Sequence, residues 1–272
     1  MSRPVFTRMR ASGTPADGTP AGGTRAGVTR TWEYAEYVIR GRRATRAFRP
    51  DPVPEDVLRA VFSLAGAAPS NSNAQPWRIE VVGGARRDRL ADALRVAHAE
   101  RRVTADYPYS EDMYAPVHRE RRAAFGADLY GALGIGPDDH QARAAYDAES
   151  IGFYGAPHVA FLFVTGDGGP RLAADAGAYL QTLLLAMTAY GVASCPQGLL
   201  SFYADTVRDE LRVDEGKLLV GISFGYADET APVNRVGTDR AALEATTTFH
   251  GQESVTESLP GPPSWPGGHR AV

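Results

Sequence analysis

Five arginines fall within ten residues at positions 40–49, "RGRRATRAFR", in a chain whose formal net charge is −3. Lys217 is the sole lysine, so arginine is the ordinary cation here, yet this stretch holds far more than its share. Planar guanidinium groups suit phosphate or carboxylate because they can donate two parallel hydrogen bonds. If the preceding helix continued through the stretch, Arg42 and Arg46 would lie one turn apart on one face, with Arg43 three residues from Arg46. Taken alone, the stretch also fits a solvated basic face.

Three further stretches point to one kind of ligand. In "APSNSNAQPW" (68–77), Pro69 and Pro76 stiffen a loop carrying Ser70, Asn71, Ser72, Asn73 and Gln75. Their amides and hydroxyls can hydrogen-bond the polar edge of a heterocycle, although such a loop by itself is ordinary turn chemistry. "SCPQG" (194–198) leaves a strand and presents backbone N–H groups beside Gly198. "NRVGTDR" (234–240) brings Arg235 and Arg240 close together. The four stretches together fit an aromatic heterocycle with a phosphate tail.

Other chemistries have weaker claims. Neither G-x-G-x-x-G nor the phosphate-loop pattern occurs. The six histidines are scattered and one cysteine cannot build a zinc centre, so no metal site is expected. "GISFG" (221–225) does match the nucleophile elbow of hydrolases, with Asp228 and His250 following in the right order. An elbow must feed straight into a helix, whereas Ser223 is followed by the turn-forming "GYADETAPVN". Ser223 therefore reads as an ordinary strand residue. Cys195 lacks a partner thiol and reads as a small apolar residue at a strand end, and Trp77 as a core residue.

The elements that must position these residues follow from periodicity. A short helix is expected from Thr31 to Arg40. A second follows Pro54, with Val57, Leu58, Val61, Phe62 and Ala65 facing the core. Trp77, Ile79 and Val81 alternate as in a half-buried strand, and residues 85–102 read as a helix with Leu90, Leu94 and Ala97 on one side. "HVAFLFVT" (158–165) is apolar throughout, which implies cover on both faces. A long helix over 171–190, closed by Gly191, a short strand at "VASC", a helix over 203–212 and the buried strand "KLLVGISFG" complete the pattern. Helix-like pieces at 115–133 and 138–149 lie within a polar, aromatic segment, 103–150. The alternation predicts an α+β sandwich with a sheet between helices.

At 272 residues and 43% hydrophobic content the chain can bury a full core. The mild negative charge gives no general attraction to nucleic acid or acidic membrane. No continuous apolar run is long enough to span a bilayer; "AYLQTLLLAMTAYG" (178–191) reads as a core helix. A single cysteine fits a reducing, cytoplasmic setting. Residues 1–30 repeat Gly, Thr, Pro and Ala without an apolar signal region and read as a disordered tail. Residues 252–272 form a Pro/Gly-rich extension, leaving 31–251 as one domain.

The chain resembles the FMN-dependent nitroreductase family. The resemblance rests on "RRATRAF", "APSNSNAQPW", "SCPQG" and "GYADETAPVNRVGTDRAALE", in that order, from about Thr31 to Gly251. The "SCPQ" form and the long segment before "FYGAPHVAFLFV" are similar to the branch with nitrobenzoate-type reductases. The resemblance implies a mainly antiparallel central sheet flanked by helices, and an intertwined homodimer with FMN at the subunit interface. It implies that Arg42, Arg43, Arg46 and Arg240 contact FMN, chiefly its phosphate. It also implies that Pro69, Ser70, Asn71 and Asn73 reach FMN from the other subunit, with Gln75 supporting the loop. Pro196, Gln197 and Gly198 match the segment whose backbone N–H approaches flavin N5. Two departures, Ala44 in place of the usual serine and no second basic residue near Gly237 or Thr238, would weaken the phosphate site. Arg235 or Arg49 would be the substitutes.

The function implied is NAD(P)H-dependent, ping-pong hydride transfer to flavin N5 and on to a small nitroaromatic or quinone, with no catalytic side chain needed. Segment 103–150, with Tyr107, Tyr109, Tyr114, Phe125, Tyr130 and Tyr146, would cover the active site and set substrate choice, or serve only helix packing and dimer contact. A biosynthetic dehydrogenase, a reductive dehalogenase and a non-enzymatic FMN store or sensor remain alternatives on the same scaffold.

Overall fold

Seven consecutive buried residues, His158–Val164, form strand β2, and their alternation sets the layering of the fold. Val159, Phe161 and Phe163 point into one apolar cluster, whereas Ala160, Leu162 and Val164 point into a second on the opposite face. That is the behaviour of a central strand with helices on both sides. Each fully buried phenylalanine contributes roughly 2 kcal/mol of transfer free energy.

The computed structural model describes residues 25–251, with side chains from residue 32 onward. In chain order the elements are α1 (Arg25–Gly41), α2 (Glu55–Ala65), β1 (Trp77–Gly83), α3 (Gly84–Ala99), α4 (Pro116–Ala132), α5 (His140–Ile151) and β2. They continue with α6 (Pro170–Ala189), β3 (Ala193–Gln197), α7 (Ala204–Leu211) and β4 (Lys217–Gly225). The four described strands form one sheet, order β1-β2-β4-β3, with every neighbour antiparallel. Helices α3 and α7 and the end of α5 supply the first cluster, α2 and α6 the second. The result is the expected α+β sandwich.

The chain divides into two units, residues 1–40 and 41–272. In the first, α1 starts at Arg25, six residues before the expected Thr31, and an Arg40–Glu36 ion pair at 2.6 Å bridges one turn. Most of the expected tail and the whole of the 252–272 extension lie outside the described residues.

In the second unit, α2 starts after Pro54 with Glu55 and Asp56 in its first turn, which suits the positive end of the helix dipole. Gly191, in the left-handed region at φ 71°, closes α6. α6 is long and apolar enough to cross a membrane by composition alone. Its Ala176, Tyr179, Leu183 and Met187 are instead buried in the second cluster. The alternation along β1 breaks near its end: Val81 is 43% exposed, whereas Val82 is buried among α3 residues. Trp77, read from the sequence as a core residue, is half-buried against the second cluster and stacks on Tyr179, ring centroids 5.0 Å apart.

Candidate functional site

The arginine stretch is not helical beyond Gly41. It runs extended, and a parallel bridge joins Ala44 to Ser194 of β3, with the Thr45 amide donating to the Ser194 carbonyl at 2.9 Å. On its other side, Phe48 pairs with Ala227, and the Arg49 amide donates to Tyr226. Helix-forming residues are thus drawn into strand-like pairing by backbone partners on both sides, which outweighs local propensity. In an extended chain, Arg42 and Arg46 still share one side, by period two rather than by a helical turn. Arg43 alternates away and is exposed.

Asn234 locks the stretch in place. Its carbonyl oxygen accepts from the Arg46 amide at 2.7 Å, and its amide donates to the carbonyls of Ala47 (2.8 Å) and Asp228 (2.9 Å). Three of the four sequence motifs therefore meet: 40–49 through its residues 44–47, 194–198 through Ser194, and 234–240 through Asn234.

The electrostatics of this corner are unbalanced. Arg42, Arg43, Arg46 and Arg240 form no ion pair among the described residues, whereas Arg49 is paired to Asp51 at 2.8 Å. Burial lowers the Arg42 pKa, repulsion from Arg240 adds to the effect, and Cys195 works against it. Arg46 lies over the Phe125 ring, 5.1 Å from its centroid. A half-buried cation with a second cation nearby and no carboxylate fits an anion, so a phosphate tail suits these residues.

Beneath the arginines the groups are neutral. Burial pushes the Cys195 thiol up to about 11, although Arg46 and Arg42 pull the other way. Burial also raises Tyr154, with Cys195 adding to the rise, while bonding to Ser150 and Tyr146 and the charge of Arg46 oppose it. Phe153, Tyr154 and Gly155 carry three successive left-handed φ values, 65°, 53° and 73°, which places Tyr154 beside Arg46 at some backbone cost.

"SCPQG" runs from the end of β3 into an exposed turn. Pro196 is half-buried at the end of β3, and Gly198 is exposed with open space beside it. Gln197 turns its side chain inward: its amide donates to the carbonyl (2.8 Å) and hydroxyl (3.0 Å) of Ser150, and its carbonyl accepts from Ser223. Ser223 is fully buried in β4, which runs on two residues past it into turns rather than a helix, so no nucleophile elbow exists.

The loop after Pro69 lies elsewhere. Asn71 donates its amide to Asp175 of α6, and the Ser70 hydroxyl accepts from the Gln75 amide at 2.9 Å. The Gln75 side chain holds Asn73 at 3.0 Å, and Ser72, Asn73 and Gln75 all adopt positive φ. This loop leads into β1, three strand spacings from β3, about 14 Å across the sheet. Through β2, Trp77 is level with Lys217 of β4, whereas Ser194 is level with Phe224. That seven-residue offset adds about 23 Å along the strands. Loop and arginines occupy diagonal corners of the sheet.

Within segment 103–150 the aromatics divide. Tyr109 packs on Phe202 (5.4 Å), and Arg122 lies 4.1 Å from the Tyr114 centroid while donating to the Tyr109 hydroxyl at 2.9 Å. Tyr146 is buried against Tyr130 and Tyr154, and Tyr107 bonds to the Gly168 carbonyl. A groove of about 380 Å³ between α4 and residues 232–239 takes in Arg235 and Gly237. Asp128 and Asp239 also line it, which disfavours an anion there.

The described residues thus define an α+β protein with an antiparallel sheet, whose β3 edge gathers arginines that form no ion pair beside an exposed glycine turn. The chain belongs to the nitroreductase family, whose model matches residues 39–226. It is 63% identical over 215 residues to the nitroreductase NfnB of Mycolicibacterium smegmatis, covering 79% of this chain and 92% of that one. The crystal structure of the FMN-dependent nitroreductase NfnB from Mycobacterium smegmatis in complex with NADPH superposes with a TM-score of 0.80 at 62% identity, covering 81% of this chain and 99% of that one. A 4-nitrobenzoate reductase of a Nocardioides species is 36% identical over 224 residues, covering 80% and 90% respectively.

Proposed function

We propose that the protein is an FMN-dependent oxidoreductase that takes hydride equivalents from NAD(P)H and reduces small nitroaromatic compounds. The similarity to a nitroreductase solved with NADPH, and to a 4-nitrobenzoate reductase, supports the electron donor and the acceptor class. The observation that carries the reading is the half-buried Arg42, repelled by Arg240 and without a carboxylate, at the edge that also presents Gly198. FMN, when bound, supplies the two-electron redox centre.

The chain's own residues have definable tasks in this reading. Arg42, Arg46 and Arg240, with Arg43 at the rim, hold the phosphate. Asn234 keeps their backbone in register. The Pro196–Gly198 turn offers backbone polarity to the ring, and the Tyr109–Tyr114–Phe202 wall stands ready to shield it from water and select the acceptor.

Ser70, Asn71 and Asn73, with Pro69 and Gln75 shaping their loop, complete the site of a second copy. Their diagonal position supports this: a loop more than 20 Å from the arginines of its own chain can share a ligand with arginines only across a dimer. A single cysteine supports a cytoplasmic location.

The test is an anaerobic titration of purified protein. A yellow protein that bleaches with NADPH or NADH and is reoxidised by a nitroaromatic is the expected result. A protein that takes up no FMN would sink the reading, and one that stays yellow with both nucleotides would leave a flavin store.

A further inference from the structure

We infer that Ser150 and Ser223 are positioning residues of the reduction site: by gripping the buried Gln197 amide from two sides, they fix the peptide that leads into Gly198. The inference rests on the functional reading above and deepens it.

The geometry is specific. Gln197 is 5% exposed, Ser150 6% and Ser223 0%. The Gln197 side chain donates to both Ser150 oxygens, at 2.8 and 3.0 Å, and accepts from the Ser223 hydroxyl. Each polar end of the amide is matched, and a buried amide with an end unmatched is costly. Its rotamer is therefore fixed, and with it the orientation of the backbone just before the exposed turn.

The next residues are fixed from the other side. Leu200 seats directly on Gly221, the cross-strand partner of Gln197; a Cβ at 221 would come within 2.5 Å of Leu200. The Ser201 hydroxyl donates to the Gly198 carbonyl at 2.7 Å. Gly198, with nothing near its own Cβ position, is thus an open turn clamped at both ends. A backbone dipole held in advance stabilises charge that builds up on a bound ring better than one that must reorient. The Ser223 hydroxyl, which looks like a nucleophile in the sequence, serves this clamp.

The experiment compares FMN-loaded wild type with Ser223→Ala, Ser223→Thr and Ile222→Val. Ile222 is equally buried on the same strand but lies in the opposite cluster, so it controls for lost packing. The readouts are the flavin midpoint potential by dye equilibration, hydrogen exchange across 197–201 and the rate of bleaching by NADPH. Ser223→Ala should keep its FMN, exchange faster, shift to a more negative potential and bleach roughly tenfold more slowly. Ser223→Thr should restore potential and rate, and Ile222→Val should lower thermal stability with the potential unmoved. If Ser223→Ala does not fold, Ser150→Ala, which keeps the backbone acceptor, replaces it, with a smaller shift of the same sign. A Ser223→Ala protein with wild-type potential and rate would overturn the inference while leaving the FMN reading intact. Wild type without flavin would remove both.

Discussion

At the scale of single residues, the clearest signal is positive charge placed where it is least comfortable. Arg42 is half-buried with Arg240 nearby, and both burial and that repulsion disfavour its charge, so an anion bound there would offset both. Arg42→Ala and Arg240→Ala should each weaken FMN binding roughly tenfold or more, the loss of a charge-assisted hydrogen bond, measurable by fluorescence titration of the apoprotein. Cys195 carries a different prediction. Its folded pKa is raised from 9.0 to about 11 by burial, so the native thiol keeps its proton over a range where the unfolded thiol loses it. The contribution is fully present below pH 9 and declines by about 1.4 kcal/mol per pH unit towards 11. Chemical unfolding of wild type and Cys195→Ala should show the difference between them shrinking across that window. Arginines, serines and asparagines were legible in the sequence by type. What was not legible is which way each points. Gln197 sits in a recognisable motif, but nothing in the chain announces that its amide faces Ser150, 47 residues earlier.

At the scale of elements, the arginine stretch shows why local pattern is insufficient. The helix α1 could continue through "RRATRAF", yet residues 42–48 are extended because β3 and residues 226–228 offer them backbone partners. No local rule anticipates pairing with residues some 150 and 180 positions away. By contrast β2, α3 and α6 were legible, since their apolar periodicity is itself the record of two-sided or one-sided cover. Asn234, whose three bonds hold the stretch, lies inside a motif noticed only for its arginines. Asn234→Ala should lower stability by about 2 kcal/mol and reduce FMN retention together, by thermal melts and flavin content. Asn234→Asp keeps the acceptor for the Arg46 amide but loses both donations, and should fall between the two.

At the scale of the whole molecule, the sheet order sets how far apart the loop and the arginines lie within one chain. β1 and β3 are opposite edges, and the loop before β1 is at the far end of the sheet from Ala44. The sequence shows two motifs suited to one ligand but says nothing of the distance between them, because that depends on strand order. The most direct measurement is complementation. Chains carrying Arg42→Ala and Asn71→Ala are co-expressed with different tags, the mixed dimer is isolated, and flavin that bleaches with NADPH is counted. A site shared across the two-fold puts both changes in one site and leaves the other intact, so the mixed dimer should hold about half the wild-type flavin while each parent holds little. A mixed dimer as poor in flavin as its parents would show that each chain builds its own site, and would contradict the account.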